Sequence, residues 1–288
     1  MLTSTLGARL TPLLHPTLAM ASLPNTRLAA VTADAAPACL ATLLTPPASV
    51  PHLAWDIGAA VTCTVAATAW VKLWSILAKS GKIDPVTSRK VIHITGAPFF
   101  MLLWPFFTSH PSAKLAAAVV PLLQAVRLTL AGLTRKEDKN DLAYAVSRSG
   151  DPSEALQGPL TYTLIVTAAI LLEWRTSVVG IMTICQIAAG DGVADLAGRR
   201  WGKKKWWFSK EKSYAGSLGF LAAAFAMSTG MIAWFNVAGA LALTAGEAWG
   251  RVLLISAACS LVEVLPIEGL DDNVTVPVTA AALSRVLF

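Results

Sequence analysis

Apolar runs of close to twenty residues alternate with short polar ones along this chain, and the alternation begins only after Pro46-Pro47. The runs fall at about 54–78, 91–108, 114–133, 159–173, 177–196, 214–234, 249–265 and 274–288. Roughly twenty apolar residues is the length of a helix that crosses the hydrocarbon of a bilayer. The pattern predicts an all-α fold, a multi-pass transmembrane helical bundle of about seven to eight spans. The fourth and last runs are short, so they tilt or sit partly in the interface. Polar connections lie at 79–90, 134–158, 199–213 and 266–273, and counting alternate connections places all four on one side. The opposite connections, near His110, 174–176 and 236–249, carry few charges. The Lys/Arg asymmetry assigns the four charged loops to the cytoplasm-equivalent face. No soluble domain and no internal repeat interrupts the pattern.

Composition sharpens this picture. Of 288 residues, 55% are hydrophobic and 14% charged, against roughly 25% charged in a soluble domain. Mean hydropathy is +0.60. A large soluble α-rich core is the alternative that these values disfavour. A net charge of +6 suits anionic partners, either lipid headgroups or nucleotides. Nucleic acid is not expected, because the basic residues punctuate apolar spans instead of forming one continuous face. Cys39, Cys63, Cys185 and Cys259 form no C-x-x-C pair, so neither a disulfide framework nor a zinc site is expected. Residues 1–48 differ from 49–288: Arg9 and Arg27 are the only Lys or Arg there, Asp34 the only acid, and Ser, Thr and Ala abound. That composition predicts an organellar transit peptide, plastid rather than mitochondrial, ahead of an integral membrane domain at 49–288. A plain disordered tail is the alternative.

Five groups of residues carry candidate chemistry. Arg89, Lys90 and His93 stand at the mouth of the second run, with Arg89 and His93 four apart on one helical face. They read either as phosphate contacts with a proton-handling histidine, or as snorkelling cations beside a satisfied one. Arg127 lies inside the third run, where a charge must face the bundle or a wet cavity. Arg148 belongs to the loop before Gly158-Pro159, a substrate lid or a solvated turn. Asp191 and Asp195 end an apolar run and share a helix face; a metal or catalytic role competes with pairing to Arg199 or Arg200. Lys203, Lys204, Lys205, Lys210 and Lys212 follow, and Lys212, Ser213 and Gly216 at a helix start form a possible phosphate cradle. No Walker A loop is present. Trp206, Trp207 and Phe208 are suited to anchoring this loop in the interface, with base stacking as the alternative. Finally Glu263, Glu268, Asp271, Asp272 and Asn273 form an acidic cluster on the same side as the cationic loop, which a metal–nucleotide site requires; a bland acidic loop is the other reading.

Together the motifs R-K-x-x-H (89–93), G-D-G-x-A-D-x-x-G-R-R-x-G (190–202), K-S-x-A-G-S (212–217) and E-x-L-P-x-x-x-x-D-D-N-x-x-V-P (263–277) resemble the phytol kinase/farnesol kinase branch of the polyprenol kinase family. The resemblance covers nearly the whole chain after about residue 55. The run Lys203-Lys204-Lys205-Trp206-Trp207-Phe208 departs from the milder stretch expected there. What the resemblance implies is a multi-pass kinase of a chloroplast membrane, its charged loops facing the stroma. It would use CTP and Mg2+ to phosphorylate phytol, feeding tocopherol synthesis. Farnesol or geranylgeraniol as acceptor is the near alternative. A CTP-dependent cytidylyltransferase acting on a membrane lipid, and a transporter or lipid-binding protein, are the more distant ones. On the kinase reading Asp191, Asp195 and Lys212 are catalytic. The metal would be held by Asp191 and Asp195, with Asp271 and Asp272. Arg199, Arg200, Lys212, Ser213, Gly216, Arg89 and Lys90 would bind the nucleotide. His93, Arg127, Arg148, Glu263 and Asn273 complete the active-site candidates. The base near the alcohol is Asp195, Glu263 or His93, and the partners are the isoprenoid alcohol, CTP and membrane lipids.

Overall fold

A computed structural model describes residues 46–133, 142, 151–265 and 272–288. Arg148 and Asp271 lie outside them, as do residues 1–45. Among the described residues the chain is a bundle of helices with no strand longer than a single bridge, Lys205 to Ser213. The helices are α1 (His52–Lys79), α2 (Pro85–Leu102), α3 (Ala113–Gly132), α4 (Gly158–Leu172), α5 (Val178–Cys185), α6 (Gly192–Trp201), α7 (Tyr214–Val237), α8 (Ala245–Val264) and α9 (Asp272–Leu287). One π-helical turn, Gln186–Asp191, joins α5 to α6 without a break. Short 3₁₀ turns at Trp104–Phe106 and Pro152–Leu156 follow α2 and precede α4.

Among the described residues, six stretches are long and apolar enough to cross a membrane: α1, α3, α7, α8, the 3₁₀ turn with α4, and α5 through α6. α2, which carries Arg89, Lys90 and His93, and the 16-residue α9 are not among them. Where the hydropathy pattern starts the second span at 91, α2 begins at Pro85. Asp84 caps it, accepting from the Thr87 N–H at 3.1 Å, and Pro85 occupies the first turn, where it needs no hydrogen-bond donor. The motif 89–93 therefore rides on the first two turns of a helix. Similarly α8 starts at Ala245, ahead of the expected 249, because Thr244 and Glu247 form a reciprocal capping box.

The bundle is built around α5. All eight of its residues are buried, and 83% of the apolar window from α5 into α6 is enclosed by other helices, against 17% for α1. Ile181, Met182 and Ile184 meet Phe220 and Phe235 of α7, Trp104 and Ile170 in one continuous core. The outer helices turn apolar side chains outward. Leu53, Ile57, Val61 and Val65 recur every four residues along α1, and Leu115, Val119, Leu122 and Val126 line α3. A helix face of that kind is at home only in lipid.

Polar contacts hold the end of the bundle away from the charged loops. Asp56, 1% exposed, accepts from the backbone N–H and hydroxyl of Thr108 at 2.7 and 2.8 Å. Arg175, between α4 and α5, donates to the carbonyls of Trp104 and Phe107 at 3.1 and 2.7 Å. The Trp104 carbonyl also accepts the Phe107 N–H at 3.1 Å, so Arg175 is its second donor, while the Phe107 carbonyl lies past the end of that 3₁₀ turn. We expect Arg175→Leu to cost about 1–3 kcal/mol by stranding the Phe107 carbonyl. A lowered Tm in detergent, with turnover per folded molecule kept, is the checking measurement.

Candidate active site

The opposite end gathers most of the charged motifs. The first turns of α2, α4, α7 and α9 and the last turns of α3, α6 and α8 converge there. The π turn is the pivot. Its wider turn occupies the segment that delivers Asp191. Close approach is required on both sides: a Cβ on Gly192 would stand 2.3 Å from Ile94 Cγ1, and one on Gly190 2.6 Å from the Phe220 ring. Absent side chains thus let the π turn and α6 lie against α2 and α7.

Asp191 emerges beside His93, whose Nε2 is 3.2 Å from its Oδ2 and 3.2 Å from the Ile187 carbonyl. Tyr162 of α4 closes over the imidazole, with ring centroids 4.6 Å apart, and its hydroxyl donates to the His93 carbonyl at 3.1 Å. On the other flank stand Glu263 and Asp272. One oxygen from each of Asp191, Glu263 and Asp272 lies within 4.8 Å of the others. The donors are all oxygen, which suits a hard divalent cation. Three carboxylates so near one another repel unless a cation stands among them, so the residues present fit such an ion. Lys212 supplies one positive charge, contacting Glu263 at 2.6 Å and Asp272 at 2.5 Å. Burial works against the Lys212 ammonium, yet Glu263 and Asp272 more than offset it and raise its pKa above the ordinary lysine value.

Asp195 does not join that group. It is held by Lys90 at 2.8 Å and Arg199 at 2.9 Å. Lys90 is only 6% exposed, so Asp195 is its neutralising partner. Of the metal set expected from the sequence, Asp191 and Asp272 stand together and are joined by Glu263, Asp195 stands apart, and Asp271 lies outside the described residues. The physical reason is Lys90, which draws the Asp195 carboxylate toward α2.

The remaining candidates divide between the site and its surface. Ser213 spends its hydroxyl on capping α7, accepting from the Gly216 N–H at 3.1 Å. The loop before it folds back as a hairpin: Trp206 N–H donates to the Lys212 carbonyl, its ring stacks on Tyr214 at 4.1 Å, and its indole donates to Ser217 at 2.9 Å. Trp207 stays 86% exposed. Arg200 leaves the carboxylate group, resting at the surface 5.7 Å over the Trp201 ring.

A cavity of about 200 Å³ opens beside the carboxylates. Arg89, Lys90, His93, Asp191 and Asn273 border its charged end, and Phe100, Val120 and Val166 its apolar depth. Arg127 lines it too, donating to Thr68 of α1 at 2.7 Å. Two site residues escape sequence reasoning. Tyr162 sits three residues after Pro159, a polar-tipped ring in an apolar helix. Gln186 is an amide within the apolar run 177–196; fully buried, it donates to Ser228 and Ser256 at 3.2 and 3.0 Å and ties the π turn to α7 and α8. An amide in an apolar span is costly enough to be a signal in itself.

Several curated proteins are similar to this chain. A probable phytol kinase 2, chloroplastic, of Oryza sativa subsp. japonica is 39% identical over 243 residues, covering 84% of this chain and 79% of the relative. A probable phytol kinase 1, chloroplastic, of Glycine max is 37% identical over 84% of this chain and 80% of its own length. A farnesol kinase, chloroplastic, of Arabidopsis thaliana is 38% identical over 81% of this chain and 76% of its own. No family model and no solved structure matches.

Proposed function

This chain belongs to the phytol kinase and farnesol kinase family, and on that premise we propose that it transfers the γ-phosphoryl group of CTP to the hydroxyl of a long-chain isoprenoid alcohol, phytol foremost. The products are the alkyl phosphate and CDP; phytyl phosphate would feed tocopherol synthesis. The observation that carries this reading is the cavity: charged at one end, apolar along its depth, and beside three carboxylates. Its chemistry complements an amphiphile with one terminal hydroxyl and a hydrocarbon tail.

Phosphoryl transfer asks a protein for positioning and charge neutralisation more than for covalent chemistry. Asp191, Glu263 and Asp272 would hold a divalent cation such as Mg2+, which when bound supplies neutralising charge for the triphosphate. Arg89 and Arg199, with the lysines of the 203–212 hairpin, contribute the positive field for the nucleotide. Asp195 keeps Lys90 and Arg199 in place. The Tyr162 ring and the Ile187 carbonyl orient His93 against Asp191; Nε2, facing two oxygen acceptors, carries a proton, and Nδ1 is the ring nitrogen that would accept the proton of a hydroxyl at the cavity's charged end. The apolar walls exclude water that would otherwise compete as acceptor.

Purified protein, CTP labelled at the γ-position and a panel of isoprenoid alcohols test the proposal. Labelled alkyl phosphate with stoichiometric CDP is expected. Release of pyrophosphate would mark a cytidylyltransferase, and no metal-dependent CTP consumption at all would overturn both enzymes.

The same reading puts the protein in a chloroplast membrane with its charged end facing the stroma. It is supported by the Lys/Arg asymmetry of the loops and by the chloroplastic relatives. Residues 1–48 act as the transit peptide. Deleting them should leave turnover intact and abolish import into isolated chloroplasts; continued import of the truncated form would refute the assignment.

A further inference from the structure

Along the flank of the cavity between α1 and α3, the lining residues Leu123 and Arg127 are exposed. Thr64, Thr68 and Val71 form its α1 wall, and Leu123, Gln124 and Arg127 its α3 wall. Leu123 lines the cavity and is 45% exposed, next to the exposed Leu122, which places it at the rim. The side chains around this rim, Val65 on α1 and Leu122 and Val126 on α3, are exposed and apolar, as lipid contact demands. Thr68 lies well inside α1, a 28-residue helix, so the opening stands at the depth of the hydrocarbon and away from the loops. A polar contact crosses it: Arg127 Nη1 donates to Thr68 Oγ1 at 2.7 Å. α1 is also the least enclosed of the spanning stretches.

We infer that the alcohol enters sideways from the bilayer, tail and hydroxyl together, through the α1–α3 seam, and that the Thr68–Arg127 hydrogen bond is the latch across this portal. The inference rests on the alcohol-kinase reading for the identity of the guest. A long isoprenoid tail resides in lipid because each methylene resists transfer to water. Entry from the aqueous face would expose the whole tail on the way. The seam avoids this: the hydrocarbon passes from lipid to an apolar wall, and the hydroxyl finds the polar rim atoms of Thr68, Gln124 and Arg127 on its path to the charged end.

The test measures kinetics and equilibrium separately. Full-length protein in nanodiscs is mixed with vesicles carrying a fluorescent long-chain isoprenoid alcohol, and association and dissociation rates are recorded. Thr68→Val, which removes the latch but keeps the volume, should speed both rates about threefold or more. Thr68→Trp, which plugs the seam, should slow both by about tenfold or more, with Kd nearly constant because a gate acts on entry and exit alike. Leu123→Trp reaches the same rim from the other helix and serves if the first plug fails to fold. Ile57→Trp, on the lipid face of α1 and outside the cavity lining, should change nothing. An altered Kd carried by one rate alone, or rates insensitive to every rim variant, would overturn the portal. If the rates respond as expected but no alcohol is phosphorylated, the portal stands and the kinase reading falls.

Discussion

Asp191→Asn should reduce turnover by roughly 10²–10³-fold while lowering the melting temperature only modestly. The small size of the stability change is what makes this prediction specific. Asp191 lies against Glu263 and Asp272 on one flank and His93, 3.2 Å away, on the other. Asparagine relieves the like-charge repulsion and can still accept from the imidazole, so the fold loses little. What is lost is an anionic ligand for a hard cation and the anionic partner of His93, both needed as charge moves onto the departing diphosphate. Asp195→Asn should behave in the opposite way. It leaves Lys90, nearly buried, without its counter-ion, at a cost of roughly 3 kcal/mol or more. Poor folded yield, with turnover per folded molecule less affected, is therefore expected. Parallel Tm and single-turnover measurements separate the two aspartates. A well-folded Asp191→Asn protein with near-normal phosphorylation would sink the assignment of this cluster.

The second large effect is expected at Lys212. Glu263 is 7% exposed, and Lys212→Met would leave it charged in the company of Asp191 and Asp272. Breaking such a pair from one side costs roughly 3–5 kcal/mol. Lys212 itself is about 29% exposed, so the lower end of that range applies. Two compensations should follow. Glu263→Gln in the Lys212→Met background should recover much of the loss, which a double-mutant cycle on Tm reads as a coupling energy. Millimolar Mg2+ should raise the Tm of Lys212→Met more than that of the parent, since the variant offers the ion three carboxylates with no resident ammonium. A Mg2+-independent Tm in both proteins would remove the carboxylate group as a metal site.

Much of the bundle is legible in the sequence because a bilayer demands long apolar runs, and a run is a one-dimensional feature. Where the reading slips, it slips for a physical reason. Hydropathy reports which residues tolerate lipid, whereas a helix begins where its first amides find partners. Asp84 and the Thr244–Glu247 capping box start α2 and α8 outside the apolar runs. The candidate site is legible as a set of motifs and only in part as a grouping: the resemblance implies Asp272 beside Asp191, whereas spacing alone couples Asp191 to Asp195, four residues on. The structure assigns Asp195 to Lys90 from α2 and brings Glu263 and Asp272 to Asp191 from α8 and α9, pairings that depend on tertiary packing. The π turn has no periodic signature, and the cavity has none either, being the space that α1 to α4 leave between them.

That last feature bears on how such enzymes diversify. The hydrocarbon walls of the cavity, Phe100, Val120 and Val166 among them, come from α2 to α4, whereas the carboxylates and Lys212 come from the segments around α6 to α9. On the function proposed, the half of the molecule that measures the alcohol is largely distinct in sequence from the half that handles phosphate. Substitutions in the first half can lengthen, shorten or bend the tail's berth while the reaction chemistry is inherited untouched. A lineage built this way can acquire a new alcohol by small changes in packing, without having to reinvent its catalysis.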